Sequence, residues 1–115
     1  MKQISLDDVR IYLNATKISL AMRSKEELSA VKELASQLRS NFNKGSSITY
    51  DMSDLSDFIL QFTSQSIENV GWNADDIDGV AWSIANYTDA MTKAGIINDY
   101  DSMFTLCFKK YFNIV

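Results

Sequence analysis

The segment Asn73-Ala74-Asp75-Asp76-Ile77-Asp78-Gly79 sets four oxygen-bearing side chains ahead of a glycine, the makings of a calcium loop. An EF-hand loop needs oxygen ligands at positions 1, 3 and 5 before the glycine at position 6, and a bidentate glutamate at position 12. Counted from Gly79, the first position is Ala74 and the last Ala85, so two ligand positions hold methyl groups. An acid-rich helix entrance, where carboxylates offset the positive end of the helix dipole, accounts for the segment better. Acid–base catalysis by the same carboxylates would need a pocket that drives their pKa values apart. Asp75, Asp76 and Asp78 fall at the mouth of a helix, in water, and no enzymatic role is expected.

Nucleophilic and metal chemistry lack their parts. The chain has one Cys and no His, so Cys107 has no imidazole to activate it. It sits within the broadest apolar arc of the chain, where a buried structural thiol is expected. A lone Cys without His leaves no zinc site, and no metal or cofactor is expected.

What remains is charge. From Asp51 to Asp101 ten acidic residues stand against one basic residue, Lys93, a balance of −9. Residues 1–50 carry eight Lys/Arg against five Asp/Glu, and Lys109 and Lys110 follow in the tail. A field of that kind speaks to partners rather than to fold. Arg10 and Lys17 are seven apart, as are Lys25, Lys32 and Arg39, which makes a solvated stripe or one side of pairing with the acidic helices. With a net charge of −4, direct nucleic-acid binding is not expected.

Helices must position these residues. There is no proline and there are only four glycines, so little interrupts helix. Ser24 with Glu27 writes a capping box, and Ser5 with Asp8, Asp51 with Asp54, Asn73 with Asp76, and Asp99 mark four further entrances. Gly45, Gly71 and Gly95 stand where helices should stop. The prediction is all-α: one compact domain over 1–115, an antiparallel bundle of five helices near 5–22, 24–43, 52–69, 74–94 and 99–113. Ile48-Thr49-Tyr50 is expected to be briefly extended in the one sizeable connection.

At 100° per residue the second helix gathers Leu28, Val31, Leu34, Ala35, Leu38 and Phe42 on one arc. The third gathers Leu55, Phe58, Ile59, Phe62 and Val70, and the fourth Ile77, Val80, Ile84, Tyr87 and Met91. The last carries Tyr100, Met103, Phe104, Cys107, Phe108 and Tyr111. The first helix is apolar on two sides, with Leu6, Val9, Leu13 and Leu20 opposite Ile11, Ala15, Ile18 and Met22. Such a helix is sandwiched at the centre or half used for contact with another chain, and the sandwiched position is the one expected.

Opposite the core arcs lie two acidic faces. One carries Asp54, Asp57, Gln61, Ser64 and Glu68; on the other Asp75, Asp78, Asn86, Asp89 and Lys93 surround Trp82. A Trp so placed either meets a neighbouring helix or the 44–51 connection, or anchors an interface whose acidic rim steers a basic partner toward it.

These features fit a non-catalytic acidic binding module of the inhibitor or antagonist kind, like bacterial immunity or phage and mobile-element anti-defence proteins. It would dock a basic surface of a protein partner through Trp82, Asp78, Asp75, Asp89, Asn86, Asp54, Asp57 and Glu68. The likeness is one of class, and no motif identifies a family. The competing reading is a self-associating assembly subunit, a homodimer joined through the first helix or through the aromatic last one, which ends Tyr111-Phe112-Asn113-Ile114-Val115. No apolar run approaches the roughly 18–20 residues that span a bilayer, and no membrane partner is expected. Met1-Lys2-Gln3-Ile4-Ser5 leads straight into polar residues with no signal-peptide core, so the expected location is cytoplasmic. The sequons at Asn14 and Asn86 are then accidental.

Overall fold

Helix entrances are set by side-chain oxygens that take up the first free backbone N–H groups. The computed structural model describes residues 4–42 and 50–114, so the expectations for Gly45, Ile48, Thr49 and Val115 lie outside the described residues. In α1 (Leu6–Ala21) Ser5 accepts the Asp8 N–H while the Asp8 carboxylate takes the Ser5 N–H at 2.9 Å, a complete capping box. Ser24 and Glu27 exchange the same pair of bonds at the start of α2 (Lys25–Phe42). Asp51 caps α3 (Met52–Val70), and Asp99 caps α5 (Tyr100–Tyr111) through Ser102. The entrance to α4 (Ile77–Lys93) comes later than residue 74 because Asp76, not Asn73, is the cap. Among the described residues the fold is an all-α helical bundle.

α4 is the helix that packs on all four others. The central place expected for α1 goes to α4 because its non-stripe positions are small. Gly79, Ala81, Ser83, Ala85, Thr88 and Ala90 are buried around its circumference and let neighbours approach. α1 lies on α4 and α5 only, and its second face stays open, with Ile11 59%, Ile18 62% and Met22 78% exposed. Leu6, Leu28 and Val70, placed on core arcs by periodicity, are also exposed, since each falls in a terminal turn that overhangs the bundle.

The core draws on all five helices, with Ile59, Val80, Ile84, Met91, Met103, Phe104 and Phe108 fully buried. Cys107 is among them, and burial pushes its thiol up to about 12. Phe112 turns back against Phe108 at 4.9 Å between ring centroids, and Ile114 packs on the core. Phe112 and Ile114 are thus partly covered within the chain, which leaves less of this aromatic end open than a bare helix would.

One charged group organises the centre. Arg23, in the short turn between α1 and α2, has only 2% of its side chain exposed. Its guanidinium donates to Asp89 at 2.5 Å and to the Asn86 carbonyl oxygen, and lies 5.8 Å from the centre of the Trp82 ring. Lys93 meets the same Asp89 carboxylate at 2.9 and 3.0 Å. One turn further on, at the C-terminal end of α4, Arg39 of α2 donates to the end carbonyls of Lys93 and Ala94. Removing one member of a buried ion pair strands the other, typically at about 3–5 kcal/mol, whereas replacing both by apolar groups is often neutral. Lys93 still meets Asp89 after Arg23→Met, so the unfolding free energy in urea should fall by less, about 2 kcal/mol, and Arg23→Met with Asp89→Leu should recover most of the loss. Equal stability of Arg23→Met and the parent chain would show that the pair holds nothing together.

Candidate functional site: an acidic corner at Trp72

Three helix ends share one backbone motif. Gly71, Gly95 and Asn113 adopt positive φ (74°, 76° and 55°), and the next residue's N–H reaches back five residues. The bonds run from Trp72 to Ile67, Ile96 to Met91 and Ile114 to Lys109, at 3.0, 3.0 and 2.9 Å. A Schellman ending of this kind delivers an apolar residue to a fixed place just past the helix. Ile96 and Ile114 use that place to pack on the core. Trp72 does not join the core cluster and remains 46% exposed.

The seat of Trp72 is built from the start of α4. Its ring lies over Gly79, where an added Cβ would stand 2.6 Å from the ring edge, so any side chain at 79 displaces the indole. Between them Asn73 Oδ1 accepts the Asp75 N–H at 3.0 Å, and the Asn73 carbonyl accepts the Asp76 N–H at 2.9 Å. Tyr111 of α5 donates to the Ala74 carbonyl at 2.9 Å and clamps this turn to the bundle. On the other side Tyr12 of α1 lies close to the Asp78 carboxylate. The indole is thus displayed on a turn that α5 clamps to the bundle.

The surroundings are negative. Glu68, Asp75, Asp76 and Asp78 are all exposed at this corner. Tyr12 is pushed up to about 12 by burial first, then by the nearby Asp78 carboxylate and the charges of Asp8 and Asp76. Tyr111 is raised by burial and then by Asp75. Among the described residues no acidic or thiol cluster suits a metal ion.

The residues expected to bind a partner are divided by the structure. Asp75 and Asp78 lie at this corner, and Glu68 sits one turn before it on α3. Asp54 and Asp57 are exposed near the other end of α3, roughly 20 Å away at 1.5 Å per residue, and Asp57 meets Lys110 at 3.2 Å. Asp89 and Asn86 are engaged by Arg23, with Asp89 buried, so they do not form an open acidic face. Trp82 is partly buried against the core beneath the Arg23 guanidinium, the neighbour contact rather than a free anchor. Trp72 was not singled out by periodicity because it lies beyond the last turn of α3, and a helical projection ignores residues between helices. The available signal was an aromatic residue directly after the stop glycine Gly71.

The tyrosine at this corner makes a pH prediction. An unfolded tyrosine ionises near 10, so with a folded value of about 12 the unfolded chain loses its proton first. The stability contributed is complete below about pH 10 and is lost as pH rises from there through the folded value. Tyr100 and Cys107 shift in the same direction and steepen the loss. Tyr12→Phe should lower the urea midpoint at neutral pH and then lose less than the parent chain on going to about pH 11. Parallel declines would mean that folding does not hold the Tyr12 proton.

Compared with protein-family models, with curated proteins and with solved structures, the chain matches none, so what this corner does must be read from its own chemistry.

Proposed function

We propose that the chain is a non-catalytic binding module that docks its acidic, Trp72-centred corner onto a basic surface of a partner protein, as an inhibitor or antagonist. One observation carries this reading. Of three apolar residues delivered by the same helix-ending motif, two pack on the core, while Trp72 is seated on glycine and left half open among carboxylates. Trp is among the residues that most often dominate binding energy, because it brings large apolar area with little rotamer freedom to lose. Glu68, Asp75, Asp76 and Asp78 around it supply long-range attraction to a basic surface and penalise acidic ones. The clamped turn lowers the ordering cost of association. Targets of the immunity and anti-defence class, whose nucleic-acid clefts are positively charged, fit such a corner.

The test uses the immobilised chain to capture partners from an extract of its native host at about 0.05 M and about 0.3 M salt. A specific partner should be held at low salt and released as screening shortens the reach of the acidic rim. Trp72→Ala should weaken its capture at least tenfold. Gly79→Ala, which keeps the indole but evicts it from its seat, should weaken it too, as should Asp75→Lys with Asp78→Lys. Trp82→Phe should leave capture intact. A partner held equally by the parent chain and by Trp72→Ala overturns the proposal.

A further inference from the structure

α1 is a 16-residue helix with Ile11, Ala15, Ile18 and Met22 in line along its open side. Their spacing of four, three and four is that of a two-helix seam, in which side chains of one helix enter the gaps of another. On α2 the same spacing, from Leu28 through Val31, Ala35 and Leu38 to Phe42, faces inward, with Val31, Ala35 and Leu38 buried. A helix of matching period can cover such a line.

We infer that this face binds a second copy of the chain, α1 against α1, antiparallel about a two-fold axis between Thr16 and Lys17. The stripe is complementary to itself in that register. Ala15 of one copy meets Ile18 of the other, small against large, and Ile11 meets Met22. A two-fold contact requires this kind of pairing, since one patch must serve on both sides. Charge selects the direction. Asp76 and Asp78 both lie near enough to Tyr12 to act on its hydroxyl, so the acidic corner lies beside the N-terminal half of α1. A parallel pair would set two such corners side by side, whereas the antiparallel pair sends them to opposite ends. It also brings Asp7 of each copy toward the end of α1 where Lys25 opens α2 of the other. Near the axis, where two Lys17 side chains approach, each is already paired with Asp101 of its own chain at 2.9 Å. Four side chains cover well under the roughly 800 Å² per partner of a stable interface, so the dimer forms at high concentration and separates on dilution. The seam uses none of the side chains assigned to the Trp72 corner.

Sedimentation equilibrium from about 10 µM to about 1 mM should show the weight-average mass rising from the monomer toward twice that value. Ile18→Lys removes a residue that touches nothing in the core, so it should abolish the rise without changing the melting temperature. A mass that stays monomeric throughout, or a rise that Ile18→Lys leaves unchanged, overturns the inference. Direction is read by mild oxidation of an equimolar mixture of Ala15→Cys and Ile18→Cys chains, each made with Cys107→Ala. The mixed disulfide should exceed both homodimers by several fold. Predominance of the two homodimers means parallel pairing and overturns the register.

Discussion

A single guanidinium decides how this bundle is assembled. Arg23 carries its charge from a three-residue turn into the side of α4, where Asp89 and Asn86 receive it and the Trp82 ring lies close to it. Taking a charge out of water is costly unless its hydrogen bonds are met, so few placements of the α1–α2 turn are tolerable. The bond fixes that turn on the central helix, and α1 and α2 then lie along α4 without packing on each other. Polar residues that would make α4 a surface helix become interior groups. Lys93 completes the neutralisation of Asp89 from the edge of the site.

With α4 buried along most of its length, its two ends are what it presents most openly, and they differ. The C-terminal end is closed by Arg39 and by Ile96 folding onto the core. The N-terminal end holds Asp76 and Asp78, where the helix dipole favours negative charge, and offers Gly79 as a flat floor. Trp72 arrives on that floor because a Schellman ending fixes its backbone. The acidity is ordinary helix-start chemistry. The indole beside it turns that acidity into a corner with shape and sign. The open face of α1 is the other consequence of moving the centre to α4, since a helix spared the middle of the bundle keeps one side free.

Much of the fold was legible because its signals are local. Capping pairs such as Ser5–Asp8 and Ser24–Glu27 depend on residues three apart, and all five helices appear near their expected places. The choice of central helix was not legible, because periodicity of large apolar residues rewards α1 for its two stripes and is blind to the alanines and serine that bury α4. The Arg23–Asp89 pair joins residues 66 positions apart, and no pattern in one sequence announces such a partner. That pair also explains why the Trp82 face misled. Its carboxylate and amide are present as projected, but a cation from a turn outside every helix occupies them. The exposure of Asp75 and Asp78 was legible since helix entrances face water. Trp72 was hidden by standing between two helices.

The central claim is that Trp72, and not Trp82, is displayed to solvent in a negative field. The chain has two tryptophans, so Trp82→Phe leaves Trp72 as the sole indole emitter. Its fluorescence should be quenched more strongly by caesium than by iodide, after correction for their efficiencies on free tryptophan amide. The difference should close as added salt screens the neighbouring carboxylates. Stronger quenching by iodide, or an emission that neither ion reaches, would contradict the account.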